Sequence, residues 1–366
     1  MKTLEHQLIE KFRKSLGGLP GVTSGPRIET HLSSLRTEID GLIDIEVQGK
    51  QTRLLIECKK QGYPRDLREA AWKLKKYLSH QVAANADFQD SVVLVVIAPS
   101  ISPGGKEFLR QEGVGYWDTG DNLYLQLPNA LYYLDRPASP EGGRPLRNLY
   151  RGTRAQVLHA LLMDPEREWH IHDLAERAQV SKYTAHQVLG VLEQQLWVTK
   201  QGTGPKTLRT LQEPAKLLEA WADAHSLSQY EMQRFHRWFP SQSKLRQHVT
   251  SGLERLEIEH ALTLGSAAEL VAPFATNVER LSILVPDSTD LDQAAESLEL
   301  KSVNEGENIV FFKTRTLSSL MFRYRVADQD RQTWVASNIQ LYLDLWAYPA
   351  RGKEQAKHLR QEKLSF

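Results

Sequence analysis

Apolar positions recur at helical spacing over residues 3–16, then change to strand-like alternation around Leu35–Val47 and Arg53–Lys59. Between these patterns lies the Gly/Pro-rich stretch 17–26. After Tyr63-Pro64, Leu67, Ala70, Ala71, Leu74 and Leu78 return to helical spacing and predict a basic amphipathic helix over about 66–83, with Pro64 just ahead of its start. The unbroken run Val92–Ala98 predicts a buried strand, and Pro103–Glu112 a short helix. Gly115–Leu127 predicts a strand pair turned by Thr119-Gly-Asp-Asn122. These elements make a central sheet flanked by helices. The pattern stops at Arg136–Pro145, where three prolines and two glycines in ten residues exclude a continuous helix or central strand.

Beyond that break, Arg154–Met163 and Asp173–Gln179 predict two helices, and Val180-Ser181 a tight turn. Ser181 is suited to cap a longer helix over Ser181–Gln195. Leu196–Lys200 and Lys206–Leu211 then predict a hairpin. A helix-like run begins at Pro214, a weaker boundary falls near Ala224–Gln229, and about 227–258 reads as helical. Ala261–Ser266 reads as a strand entering a helix through Gly265-Ser266, and Leu281–Val285 as the next strand. The domains expected are 1–135, 146–225 and 226–366, within the two or three that 366 residues suggest.

Composition adds mostly exclusions. A hydrophobic fraction of 41% and a charged fraction of 25% are ordinary for a soluble globular protein. No apolar run approaches the roughly 18 residues of a membrane span, and the opening segment is too charged for a secretory leader. A cytoplasmic location without membrane attachment is the expectation. The single cysteine, Cys58, permits neither an intramolecular disulfide nor a cysteine-based zinc cluster. The net charge of +1 resolves along the chain into +5 over 1–80, −5 over 81–135, +4 over 136–216 and −3 over 217–366. Two basic blocks alternating with acidic ones suggest local contacts with an anion.

The candidate chemistry of the first block lies on its strands. Alternation sends Glu57 and Lys59 to one face and Cys58 to the other, and likewise gathers Glu38, Asp40 and Asp44. If the strands pair through Gln48-Gly49-Lys50, these acidic groups stand near Glu57-Cys-Lys59. Oxygen ligands of this kind suit Mg²⁺, whose bound water could attack a phosphodiester with Lys59 assisting. The residues resemble the PD-(D/E)xK nuclease superfamily, with its restriction-endonuclease-like α/β fold. That resemblance implies Asp40, Glu57 and Lys59 as catalytic residues and Asp40, Asp44 and Glu57 as metal ligands, with Asp40 favoured over Asp44 and Asp44 or Glu38 as a second ligand beside it. Glu5 or Glu10 could supply a further acidic residue. The fold also serves as an inert DNA-gripping module, so cleavage is a separate question.

The second block, helix-turn-helix followed by a hairpin, resembles the winged helix-turn-helix over about 60 residues. In that geometry the second helix enters the major groove of double-stranded DNA. Lys182, Tyr183, Thr184, His186 and Gln187 become candidate base or phosphate contacts, and Lys200, Lys206 and Arg209 phosphate contacts from the wing. The C-terminal third resembles a nucleotidyltransferase-like domain lacking its metal ligands, since Ser282 and Leu284 stand at the carboxylate positions. Gly115–Asn122 and Val335–Trp346, with Pro349–Gly352 and the helix Lys353–Gln361, together resemble the AbiEi-type antitoxin regulators of type IV toxin-antitoxin systems. This implies a bacterial DNA-binding transcriptional regulator with a partner toxin. The alternative is a Mg²⁺-dependent DNA endonuclease targeted by the winged helix. The sequence is compatible with an oligomer. His170 and His172 read as strand histidines, and the eight tryptophans, spread one per element, as core.

Overall fold

The computed structural model describes residues 4–22, 27–34, 37–84, 92–136, 149–274, 280–349 and 351–366. The expected linker beyond Arg136 lies outside the described residues. The chain is mixed α/β and divides into two units, Met1–Pro145 with Val191–Leu196, and Leu146–Gly190 with Trp197–Phe366.

In the first unit, helix α1 (Leu4–Leu16) buries Leu8, Ile9, Phe12 and Leu16, the apolar stripe its helical spacing creates. It lies on one face of a seven-stranded sheet, where its core includes Ile43, Ile45, Leu54, Ile56 and Trp117. The strands, β1 (Arg27–Ser34), β2 (Thr37–Val47), β3 (Lys50–Cys58), β4 (Val92–Ala98), β5 (Gly115–Asp118), β6 (Leu123–Leu127) and β7 (Ala130–Leu134), run in sequence order across it. Helix α2 (Pro64–Ala84) covers the other face with α3 (Pro103–Gln111). Central β4 is parallel to β3 and to β5. Burial on both faces explains its unbroken apolar run.

The β2–β3 hairpin fixes the site. Gln48 and Gly49 have φ of 52° and 79°, as a two-residue hairpin turn of the mirror-image type requires. The register from that turn runs from Val47↔Lys50 to Gly41↔Ile56. Ser102 caps α3 through a hydrogen bond accepted from the Gly105 N–H, with Pro103 in the first turn.

The second unit begins with α4 (Gly152–Met163), α5 (Ile171–Arg177) and α6 (Lys182–Gln194), the last turn of which is grouped with the first unit, followed by the two-stranded sheet of β8 (Val198–Gln201) and β9 (Leu208–Leu211). Gln179, at φ 53°, takes the left-handed conformation in the turn between α5 and α6. The Ser181 hydroxyl then caps α6 by accepting from the Thr184 N–H at 3.1 Å. Trp169 adds a bridge to Arg209, with backbone hydrogen bonds of 2.8 and 3.0 Å.

Helix α7 (Pro214–Ala224) leads to a second seven-stranded sheet of β10 (Glu231–His236), β11 (Ala261–Leu262), β12 (Leu281–Pro286), β13 (Lys301–Ser302), β14 (Ile309–Thr314), β15 (Tyr324–Asp328) and β16 (Arg331–Val335). Its strand order is β13-β10-β14-β12-β11-β16-β15. Helices α8 (Gln242–Arg255), α9 (Leu264–Val271), α10 (Leu291–Ser297), α11 (Ser318–Met321), α12 (Asn338–Ala347) and α13 (Gly352–Lys363) complete it. Two expectations change. The stretch read as helical over 227–258 contains β10 ahead of α8, because only Phe235 of that strand is buried and the periodicity is too thin to register. Gly265-Ser266 sits inside the first turn of α9 instead of linking a long strand to it.

Candidate functional site

Asp40 lies one residue beyond the Gly41↔Ile56 pair, level with Glu57 on the neighbouring strand. Its Oδ2 accepts a hydrogen bond from the backbone N–H of Cys58 at 2.7 Å. The Glu57 side chain is buried under α2, where Lys73 Nζ donates to Oε1 at 2.9 Å and stands equally close to Oε2. Lys59 Nζ lies 3.5 Å from Glu57 and 3.5 Å from Glu69. Asp40, Glu57 and Lys59 are thus brought together on the α2 face, as alternation requires.

Asp44 is elsewhere. It pairs with Arg53 directly opposite at 2.9 Å, four residues and so roughly 13 Å along the strand from Asp40. Cys58 points to the α1 face, its thiol against the Glu5 carbonyl, and burial pushes that thiol well above its ordinary pKa.

Burial raises the pKa of Glu57, and the charge of Asp40 adds to this against the Lys73 hydrogen bond. Burial works against the Lys73 ammonium, but its hydrogen bond and charge interaction with Glu57 prevail and its pKa is raised. Asp40 and Glu57 fit a hard divalent cation completed by waters: both offer carboxylate oxygens side by side, although Lys73 already stands against both oxygens of Glu57 and would have to give way. Among the described residues no group of three or more His, Cys, Asp and Glu gathers to hold a metal. Lys73 was not anticipated; its position two turns into α2, four residues after Glu69, is the signal that could have found it.

On α2, Arg68, Trp72 and Lys76 follow at four-residue spacing, with the Lys76 ammonium 4.8 Å from the centre of the Trp72 ring. Trp72 is 61% exposed and Trp238 77%, which overturns their reading as core; Trp117, Trp169 and Trp221 are buried as expected.

Helix α6 divides cleanly. Ala185, Val188, Leu189 and Leu192 are buried, whereas Lys182, His186 and Gln187 are exposed, Tyr183 is 73% exposed and Thr184 is half-buried. Lys200 and Lys206 are exposed on the hairpin. Arg209 is only 6% exposed, so its side chain belongs to the interior and not to the cationic surface expected of it. His170 contacts the Thr207 carbonyl at 3.3 Å through Nδ1.

A buried polar hub went unread in the sequence. Asp344, wholly inaccessible in α12, accepts hydrogen bonds from Tyr230 at 2.9 Å, Gln340 at 2.8 Å and Thr263 at 2.6 Å, and contacts His225 Nε2 at 2.9 Å. The signal was an aspartate within an otherwise apolar helical run, which only partners of this kind make tolerable.

Residues 210–365 match the family model described as "Transcriptional regulator, AbiEi antitoxin, Type IV TA system", which covers the C-terminal sheet and its helices. No curated protein matches the chain. Among solved structures, a repair endonuclease from Pyrococcus abyssi shares 15% identity with a TM-score of 0.24, over 35% of this chain and 49% of that one. EndoMS in its apo form shares 18% at a TM-score of 0.22, over 32% and 47%. An EndoMS complex with double-stranded DNA shares 14% at 0.23, over 36% and 48%. The chain spans about half the length of these structures. No described helix is long and apolar enough to cross a membrane.

Proposed function

We propose that this chain is a DNA-binding transcriptional regulator of the antitoxin kind, with α4–α6 and the β8–β9 hairpin acting as a winged helix. The observation that carries this reading is the division of α6: its apolar side is fully used in packing, while Lys182, Tyr183, His186 and Gln187 are presented to solvent. Such a helix fits the major groove, where Gln187 can pair with adenine and Lys182 with guanine or a phosphate. Lys200 and Lys206 would hold phosphates from the hairpin. The family match at 210–365 supports a regulatory role, and a toxin is the partner that match suggests. On the first unit, Arg68, Trp72 and Lys76 offer a further cationic, aromatic surface to DNA. A mobility-shift assay on the DNA upstream of its own gene tests the reading: a discrete complex is expected, and its loss with Lys182→Ala and Gln187→Ala combined.

A second reading, a Mg²⁺-dependent endonuclease, is favoured by the juxtaposition of Asp40, Glu57 and Lys59 on one sheet face. Asp40 and Glu57 would hold the ion, which when bound would supply a water of lowered pKa. Lys59 would orient the attacking group, and Lys73 would release Glu57. Supercoiled plasmid with Mg²⁺ decides it: nicking by the native chain that vanishes in Lys59→Ala supports this reading, and inertness of the native chain removes it.

A further inference from the structure

Strands β10, β14 and β12 lie side by side in the C-terminal sheet, and their register sets Arg234, Val310 and Ser282 abreast on one face. In the next row Met232 stands beside Phe312. This face is not closed by packing. A cavity of about 300 Å³ lies over it, walled by the 226–228 turn, Leu264 and the Tyr348-Pro349 segment after α12. Val310, Phe312 and Ser282 are buried and form its floor, Leu264 in the wall is also buried, and Arg234 is exposed and Arg280 half-exposed at its mouth. The volume is at the low end for a small-molecule pocket and equals roughly ten waters.

Two further features set this cavity apart from a packing flaw. Leu264 has φ +50°, a left-handed conformation unfavourable for leucine, of the sort concentrated at ligand sites. The charges also leave a remainder. Arg280 is paired with Glu307 at 3.3 Å, while among the described residues no hydrogen bond or ion pair engages the Arg234 guanidinium. The cavity thus combines an apolar, aromatic floor, a buried hydroxyl at Ser282 and one uncompensated positive charge.

We propose that this cavity binds a small organic monoanion: a carboxylate on a flat or branched apolar body, roughly eight to twelve non-hydrogen atoms in all. The carboxylate pairs with Arg234 in the two-pronged geometry that guanidinium favours, and the apolar body rests on Val310 and Phe312. A single net charge suits a carboxylate better than a phosphate ester, which carries nearly two charges at neutral pH.

Calorimetric titration of the full chain with benzoate, phenylacetate and 4-methylpentanoate tests it, with benzamide and inorganic phosphate as controls. At least one carboxylate is expected to bind saturably, with benzamide at least about tenfold weaker. Arg234→Gln, at an exposed position that folding tolerates, is expected to weaken that carboxylate by about tenfold or more, and Arg315→Gln outside the cavity to leave it unchanged. Absence of saturable binding by all three carboxylates overturns the proposal. So does equal binding of benzamide, preference for inorganic phosphate, or affinity indifferent to Arg234→Gln.

Discussion

Lys73 Nζ stands 2.9 Å from each carboxylate oxygen of Glu57, so that the buried carboxylate of the central hairpin is neutralised from the helix above it. Removing the lysine and not the glutamate leaves a charge in a dry site. Lys73→Met is therefore expected to destabilise the first unit by about 2–3 kcal/mol at neutral pH, less than a fully buried pair would cost because Lys59 remains nearby. The sign of the pH effect follows from the raised pKa of Glu57. Its contribution to stability is fully present below the unfolded carboxylate pKa and is lost as pH rises through the folded value. Urea midpoints of Lys73→Met and the native chain should thus converge as pH falls from 7 toward 5, and Glu57→Gln should restore most of the loss.

The Asp344 hub gives a larger effect. Asp344→Ala strands Tyr230, Gln340, Thr263 and His225 around a cavity, and a loss of about 3–5 kcal/mol is expected by urea unfolding. Asp344→Asn keeps the shape and the acceptor shared by Tyr230, Gln340 and His225 but loses the charge and turns the oxygen facing Thr263 into a donor, and should recover only some of it. A variant as stable as the native chain would remove the hub's structural role.

His159 is fully buried against Phe322 and Trp221, with Nε2 2.6 Å from the Ser337 hydroxyl, and burial holds its pKa down to about 3. A depressed histidine favours folding above its unfolded pKa of about 6.5, and this support is lost as pH falls toward 3. His159→Gln should flatten the acid side of the stability profile of the second unit between pH 6 and 4. An unchanged slope would show that other groups set it.

Trp72 and Arg209 make opposite predictions. Trp72→Ala removes an exposed ring and should change stability by less than about 0.5 kcal/mol, while weakening DNA binding if the proposed surface on α2 is used. Arg209→Ala empties an interior position and should cost about 1–2 kcal/mol of stability, with a smaller change in DNA affinity than Lys200→Ala. Thermal unfolding beside DNA titration separates the two.

These residues also show what sequence can carry. The apolar run of β4 and the serine cap of α6 are local, so pattern alone places them. The pairing of Asp40 with Glu57 was legible too, because strand alternation and a Gln-Gly turn determine it. Edge strands β1 and β7 were not anticipated; β7 has no buried residue. Residue type did not reveal that Trp72 faces solvent or that Arg209 faces inward, because both depend on neighbours distant in sequence. Lys73 reaches Glu57 only after α2 crosses β3, and the partners of Asp344 span 225–340, so neither cluster leaves a local motif.

Whether α6 holds specific DNA is decided by fluorescence anisotropy across a salt series. The probes are a labelled duplex from upstream of the gene and a scrambled duplex of equal length. At least about tenfold preference for the upstream duplex is expected, with log affinity falling linearly with log salt and the preference lost in Lys182→Ala with Gln187→Ala. Equal binding of the two duplexes by the native chain, or an unaltered preference in the double variant, would contradict it.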